Sequence, residues 1–230
     1  MEHKRINDFD ILFKKGKGDA CPACVILHGY GASYNDLAPL HSYLDKEEAF
    51  DWYFVDAPFS VDIGMGMKGK AWFPIDMMRL QMLLQAGKFE EAFASNEPSG
   101  LQEITQSMVA LLQAIKSPGQ ELILGGFSQG SMVSTSVKMS RPELVDALML
   151  LSSTVYNSER FKEFGKSFKD LPIFQSHGMF DPVLPFNMAQ RLYATLNEHT
   201  DDISFESFEG GHEIPMAVIQ KASAFLRRFS

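Results

Sequence analysis

The chain has 230 residues, of which 45% are hydrophobic and 12% aromatic, so it carries enough apolar side chains for one large buried core. Its 29 acidic and 21 basic residues give a formal net charge of −8, which argues against binding to nucleic acids or anionic membranes. We therefore expect a single folded domain over residues 1–230 whose partner is a small or neutral molecule.

The N-terminal segment and the cysteines indicate the compartment. The first residues, M-E-H-K-R-I-N-D-F-D, are charged and lead into no apolar run, and no stretch of about 18 uncharged apolar residues occurs in the sequence. We therefore expect a cytoplasmic protein without integral membrane contact. Cys21 and Cys24 form a C-P-A-C motif with the spacing of redox pairs and of half a zinc site. Because Cys24 leads into an apolar run rather than a helix, the motif favours structural cysteines.

Short β-branched or aliphatic runs alternate with segments of helical periodicity along the chain. The runs lie at 25–27, 52–55, 122–124, 147–151, 173–175 and 203–208. Apolar residues three or four positions apart predict helices at 101–115, at 186–196 and from Pro215 to the C terminus. This alternation predicts an α/β fold with a mainly parallel sheet covered by helices on both faces.

Residues 62–100 depart from this alternation. They contain glycine-containing turns and a methionine-rich helical stretch, but no convincing strand. We call them the excursion segment. An insertion of this length is often a lid or a binding loop, and a plain surface elaboration is the alternative. Residues 77–84 are apolar around most of a helical wheel, so one face could pack on the domain while another meets a ligand or a partner subunit. Methionines that fill an ordinary core are the competing interpretation.

The motif G-F-S-Q-G at 126–130 predicts a nucleophile. It follows the run 122–124 directly and precedes a helix-compatible stretch, which is the context of a strained strand-to-helix turn that exposes a serine hydroxyl. In that turn Ser128 is the nucleophile, and the backbone N–H of Gln129 points at a developing oxyanion, aided by the helix dipole. The competing interpretation is a chance match in a glycine-rich loop.

Two later loops supply a carboxylate and a base. Asp181 follows the run 173–175, and His212 follows the run 203–208 in a glycine turn, so both lie at the carboxyl edge of the predicted sheet, where such folds collect their sites. Alone, Asp181 would be read as a turn or capping residue and His212 as a loop histidine. The order Ser128, Asp181, His212 and the shared context favour a catalytic triad, in which Asp181 orients His212 as the general base.

The sequence L-H-G-Y-G at 27–31 follows the first run and predicts an oxyanion loop. Its glycines allow the backbone to turn and to present the N–H of Tyr30 towards the nucleophile. His28 could be mistaken for the base, but its position before this loop indicates that it orders the loop through hydrogen bonds. His3, His41 and His199 lie in polar or helical surroundings without clustered ligands, so we expect neither a metal nor an organic cofactor.

Five motifs occur in one order across 27–215, namely L-H-G-Y-G, A-W-F, G-F-S-Q-G, H-G-x-x-D-P-V-L-P and G-G-H-E-I-P. Together they resemble the phospholipase/carboxylesterase family, which includes acyl-protein thioesterases. The resemblance implies a single α/β-hydrolase domain that acts on carboxylic esters or thioesters without a cofactor. It also implies a triad at Ser128, Asp181 and His212 and oxyanion amides at Tyr30 and Gln129.

Two features depart from the pattern of that family and bear on acyl-group specificity. Tyr30 stands where many relatives have leucine, and A-W-F, which relatives usually follow at once with aspartate, here runs into P-I-D and several methionines. The resemblance implies that the A-W-F segment lies near the acyl site. We therefore expect Trp72, Phe73 and Met78 to contact the acyl chain.

The combined expectation is a serine hydrolase of carboxylic esters, thioesters or lysophospholipids that works through an acyl-enzyme on Ser128. Peptides or lactones cleaved by the same triad remain an alternative. So does a catalytically silent α/β-hydrolase domain that serves as a binding module. The sequence leaves open whether the chain forms a homodimer.

Overall fold

The computed structural model describes residues 1–89, 93 and 96–230. The strands are β1 (Glu2–Ile6), β2 (Phe9–Lys14), β3 (Ala23–Leu27), β4 (Asp51–Val55), β5 (Phe59–Asp62), β6 (Lys68–Ala71), β7 (Leu122–Phe127), β8 (Ala147–Leu151), β9 (Ile173–Gly178) and β10 (Ile203–Phe208). The helices are α1 (Tyr34–Leu37), α2 (His41–Leu44), α3 (Met77–Gln85), α4 (Leu101–Ile115), α5 (Gln129–Ser140), α6 (Ser158–Glu163), α7 (Phe186–Asn197) and α8 (Met216–Leu226).

Eight strands form one sheet in the order β1-β2-β4-β3-β7-β8-β9-β10. The strands from β4 to β10 in this order pair in parallel, whereas β1 and β2 pair antiparallel at one edge. All six predicted runs are strands of this sheet, and four of the parallel strands, β3, β4, β8 and β9, are buried along their whole length. The prediction of a mainly parallel sheet is confirmed.

Helices cover both faces of the sheet, as the sequence predicts. On one face, α4, α5 and α7 contribute to a core that includes Leu112, Val133 and Leu192. On the other face, α1, α2 and α8 contribute to a second core that includes Leu44 and Phe225. The last helix begins at Met216 rather than Pro215, which is its N-cap residue. None of the helices in the described part of the chain is both long and apolar enough to span a bilayer.

The antiparallel pair β1 and β2 was not among the predicted strands. Its turn contains Asn7, which adopts a positive φ of 52°. In β2 the alternating residues Phe9, Ile11 and Phe13 are buried and the residues between them are half-buried, so the strand has a period of two. The charged residues around this strand conceal that period in the sequence.

The expectation that the excursion segment contains no strand is wrong. Lys68–Ala71 forms β6, which pairs antiparallel with β5. The sequence K-G-K-A has little intrinsic strand preference, and tertiary contacts stabilise it instead. Lys70 N–H donates to Ala32 O at 2.9 Å, and Gly31 N–H donates to Lys70 O at 2.8 Å. The remainder of the segment includes α3, as the helical pattern predicts, and residues 90–92, 94 and 95 lie outside the described part of the chain.

Candidate active site

The turn between β7 and α5 holds Ser128 in a strained conformation. Its φ of 53° and ψ of −115° lie in a region that favours glycine. A Cβ atom on Gly126 would lie 2.3 Å from the carbonyl carbon of Gly130, and one on Gly130 would lie 2.3 Å from Leu27 O. The flanking positions therefore require glycine because backbone approaches backbone there. This is the sharp strand-to-helix turn that the G-x-S-x-G motif predicts.

The loop after β9 fixes the carboxylate of Asp181. Its side chain is wholly buried, and Oδ1 accepts hydrogen bonds from the N–H groups of Val183 at 2.8 Å and Leu184 at 2.9 Å. Oδ2 accepts a hydrogen bond from His212 Nδ1 at 2.6 Å. Burial raises the pKa of Asp181, but these hydrogen bonds, that from His212 first, outweigh it and hold the pKa below its usual value. The carboxylate is thus ionised and oriented.

Close backbone contact brings the loops of Asp181 and His212 together. Phe180 N–H donates to Gly210 O at 3.0 Å. A Cβ atom on Gly178 would lie 2.2 Å from Gly211 O, so only glycine permits this approach. The parallel pairing of β9 with β10 sets the register of both loops.

The ring of His212 lies at the same edge of the sheet as the serine turn. It packs against the ring of Phe127, the residue before Ser128, with centroids 4.7 Å apart. Its side chain remains 17% exposed, so a ligand at this edge can reach it. Among the described residues, no hydrogen bond joins Ser128 Oγ to the His212 ring; in unliganded hydrolases this contact is often long and tightens with substrate.

The loop after β3 lies beside the serine turn and is held by His28. His28 Nδ1 donates to Gly29 O at 2.7 Å, and His28 Nε2 accepts from Ala57 N–H at 3.0 Å. A Cβ atom on Gly29 would lie 3.4 Å from Ser128 Cβ, so this loop runs directly past the serine. The ordering role that the sequence suggests for His28 matches these contacts.

The two amides named for the oxyanion are available. Gln129 is the first residue of α5, so the helix provides no internal acceptor for its N–H. Neither this N–H nor that of Tyr30 has an acceptor within the described part of the chain. Gln129 directly follows Ser128, and Tyr30 directly follows Gly29, which approaches Ser128.

The side chain of Gln129 has a structural role that the sequence analysis did not identify. It is buried, its Oε1 accepts from Trp72 N–H at 2.9 Å, and its Nε2 donates to Phe73 O at 2.7 Å. Trp72 Nε1 donates in turn to His28 O at 2.7 Å. The excursion segment is thereby tied both to the serine turn and to the loop after β3.

The three residues expected to contact an acyl chain lie in different environments. Trp72 is fully buried in the core, so its side chain packs beneath the site and has no surface exposed to a ligand. Phe73 is also buried, at the side of a cleft of about 440 Å³. The cleft is lined further by residues of the excursion segment, among them Ile75, Arg79, Leu80, Leu83, Phe93 and Glu97. Met78 projects from α3 with 70% of its surface exposed.

His177 was quoted in the sequence only as part of a motif, and the structure places it in the site. Its side chain is wholly buried, with Nε2 2.9 Å from Leu184 O and 3.3 Å from Asp181 Oδ2. The signal that could have identified it is the spacing H-G-x-x-D, in which the histidine stands at the end of a strand, four residues before the carboxylate.

The two cysteines are buried free thiols. Cys24 lies inside β3, as its apolar context predicts. Burial raises the pKa of the Cys24 thiol well above its usual value, and the Asp45 carboxylate adds to this effect. Within the described ranges, no three His, Cys, Asp or Glu side chains converge in a way that could hold a metal ion.

Comparisons with known proteins identify the family of the chain. The phospholipase/carboxylesterase family matches residues 12–230. Acyl-protein thioesterase 1 of Cryptococcus neoformans is 27% identical over 205 residues, which span 81% of this chain and 82% of that protein. Acyl-protein thioesterase 1 of Mycosarcoma maydis is 27% identical over 223 residues, or 88% of each chain.

Solved structures share the fold. The crystal structure of esterase PE8 superposes with a TM-score of 0.76 at 23% identity and covers 95% of this chain and 98% of its own. At this identity the likeness concerns the fold, which is the α/β-hydrolase fold. The family match extends over nearly the whole chain. The protein therefore belongs to the phospholipase/carboxylesterase family and is a hydrolase of ester bonds.

Proposed function

We propose that the protein hydrolyses carboxylic esters or thioesters with an apolar acyl group, through an acyl-enzyme on Ser128. The observation that carries the proposal is the hydrogen bond of 2.6 Å between Asp181 and His212, at the sheet edge where the strained turn presents Ser128. A histidine fixed in this way keeps its hydrogen on Nδ1 and leaves Nε2 free to accept a proton.

In the proposed reaction, Ser128 Oγ attacks the acyl carbonyl carbon while His212 Nε2 takes the hydroxyl proton. The oxyanion that forms accepts hydrogen bonds from the N–H groups of Tyr30 and Gln129. The bond to the leaving alcohol or thiol then breaks, and His212 returns the proton to that group. Water attacks the acyl-enzyme by the same route in reverse, which releases the acid and restores Ser128. Asp181 stabilises the imidazolium in both halves.

An apolar acyl group is supported by the side chains around the cleft. Its lining from Phe73, Leu80, Leu83 and Phe93 is apolar, whereas Arg79 and Glu97 add polar atoms. Exposed Met78 lies on α3, the helix that contributes Leu80 and Leu83 to the cleft, and unbranched methionine side chains adapt to varied apolar shapes. The names of the relatives point in the same direction, since two of them are acyl-protein thioesterases.

The substrate class is tested by hydrolysis rates over p-nitrophenyl esters of graded chain length, a lysophospholipid and a palmitoyl-peptide thioester, with Ser128→Ala as the blank. We expect kcat/KM to rise from acetate to medium chains, and the thioester to be cleaved. A preference for acetate with no turnover of any long-chain substrate would contradict the proposed acyl class. Faster cleavage of a peptide or lactone would favour the alternative substrate for the same triad.

We also propose that the protein works in the cytoplasm. Two free cysteines three positions apart fit a reducing compartment. A homodimer remains a prediction, which the molecular mass in solution would test.

A further inference from the structure

The buried histidine at the end of β9 has a defined set of neighbours. His177 Nε2 lies 2.9 Å from Leu184 O and 3.3 Å from Asp181 Oδ2. A carbonyl oxygen and an ionised carboxylate oxygen can only accept hydrogen bonds, so Nε2 carries a hydrogen, which it donates to Leu184 O beside Asp181 Oδ2. The ring packs towards Phe186, with centroids 6.2 Å apart.

The protonation state of His177 follows from its burial. Burial lowers the pKa of the imidazole below its usual value, and the hydrogen bond to Leu184 and the charge of Asp181 offset this only in part. Asp181 and His212 are the titratable groups that act on its charge. The backbone of Ser153 also favours the protonated ring, but burial outweighs it, so the ring is neutral and carries its hydrogen on Nε2, which faces Leu184 O.

The Nε2–H of His177 lies beside the Asp181 oxygen that accepts the hydrogen bond from His212. Oδ1 of Asp181 is held by two backbone N–H groups of its own loop. Oδ2 accepts the hydrogen of His212 Nδ1 and is the Asp181 oxygen that lies 3.3 Å from His177 Nε2. A neutral donor here restrains Oδ2 without placing a second positive charge beside His212. A charged histidine at this position would oppose the imidazolium that forms on His212.

We propose that His177 is a positioning residue for the triad: its Nε2–H donates to Leu184 O and lies beside Asp181 Oδ2, and so holds the Asp181 loop and the carboxylate oxygen that orients His212. This inference rests on the proposed function of Ser128, Asp181 and His212. It concerns the geometry of the base and leaves substrate binding unchanged. Loss of the donor should therefore lower kcat and not raise KM.

Two substitutions separate positioning from packing. His177→Gln keeps an N–H donor at the distance of Nε2, whereas His177→Leu keeps the bulk and removes the donor. His199→Leu, at a half-buried histidine after α7, is the matched control. The readouts are the rate of labelling by a fluorophosphonate, which needs no substrate, and kcat and KM on one p-nitrophenyl ester.

We expect His177→Leu to lower the labelling rate and kcat by on the order of 10- to 100-fold, because small misplacements of a catalytic group have effects of this size. KM should stay within about twofold of its original value, since the acyl contacts are unchanged. His177→Gln should recover most of the loss, and His199→Leu should match the unmodified protein. Equal rates for the Gln and Leu variants, whether both high or both low, would overturn the proposal.

Two further measurements keep the test decisive. If His177→Leu does not fold, His177→Asn replaces it, because its amide ends at the position of Nδ1 and misses both oxygens; equal rates for Asn and Gln would then overturn the proposal. Ring nitrogen NMR shifts should report His177 as neutral and protonated on Nε2 at pH 7, and an imidazolium would overturn it. If the unmodified protein itself resists labelling, the proposed function fails instead.

Discussion

Gln129 Oε1 accepts the backbone N–H of Trp72 at 2.9 Å, so the residue directly after the proposed nucleophile is bonded to the excursion segment. The same side chain donates to Phe73 O. Gln129 thus links the serine turn to the A-W-F segment through its side chain, while its backbone N–H is the proposed oxyanion donor.

Gln129→Leu should lower both stability and activity. The substitution leaves Trp72 N–H and Phe73 O buried without partners, which costs about 2 to 6 kcal/mol of unfolding free energy when each unpaired group costs about 1 to 3. Chemical denaturation measures the loss. Gln113→Leu, on the exposed side of α4, is the matched control and should change stability by no more than about 0.5 kcal/mol. A Gln129 variant as stable as this control would contradict the proposed link.

Ser128→Ala should fold normally and lose ester hydrolysis by a factor on the order of 10⁴ or more, because no other group can form the acyl-enzyme. Circular dichroism and a p-nitrophenyl ester assay measure the two properties. Ser140→Ala, at the exposed end of α5, serves as the control and should keep full activity. Normal turnover by folded Ser128→Ala would refute the assignment of the nucleophile.

Met78→Ala should change chain-length preference with little change in stability. Its side chain is 70% exposed, so truncation should alter the unfolding free energy by no more than about 0.5 kcal/mol. We expect kcat/KM to fall for medium-chain esters and to stay constant for acetate. Equal losses at every chain length would show that α3 does not contact the acyl chain.

Trp72→Ala should lower stability strongly and leave chain-length preference unchanged. Removal of a fully buried tryptophan leaves a cavity that costs about 3 to 5 kcal/mol. The indole also donates to His28 O, so activity should fall for acetate and for medium-chain esters alike. Thermal denaturation and the same ester series measure both effects. Unchanged stability with a selective loss on medium chains would show that Trp72 itself forms the acyl wall.

The unfolding free energy should decrease in two steps as the pH is lowered. Since burial lowers the pKa of His177, the unfolded chain binds a proton there below about pH 6.5 and the folded chain does not, which favours unfolding. The pKa of Asp181 is also lowered, so its contribution is present above about pH 4 and is lost below it. His177→Gln should flatten the first step and Asp181→Asn the second. If these variants and the unmodified protein showed identical dependence of stability on pH, the lowered pKa values of His177 and Asp181 would be contradicted.

The parallel strands and the triad candidates could be predicted because their signals are local. Uninterrupted apolar runs produce β3, β7 and β8, and G-x-S-x-G is a direct consequence of the backbone contacts at Gly126 and Gly130. Strand β6 could not be predicted, because it is stabilised by pairing with β5 and with the loop after β3. The local sequence K-G-K-A gives no sign of either contact.

The supporting contacts of the site were missed for a similar reason. The side chain of Gln129 binds residues 56 and 57 positions away in the sequence. The burial of Trp72 depends on the packing of the excursion segment over the sheet edge, so the sequence pattern could not separate it from exposed Met78. His177 lies four residues before Asp181, yet only the turn at 178–184 brings its Nε2 to the carboxylate.

Active-site labelling tests whether Ser128 is a nucleophile activated by His212. The protein is treated with a fluorophosphonate, digested and examined by mass spectrometry, alongside His212→Ala. We predict one modified peptide that carries the label on Ser128, and labelling slower by on the order of 10³-fold or more without the base. A label on another residue, or equal labelling of Ser128 without His212, would contradict it.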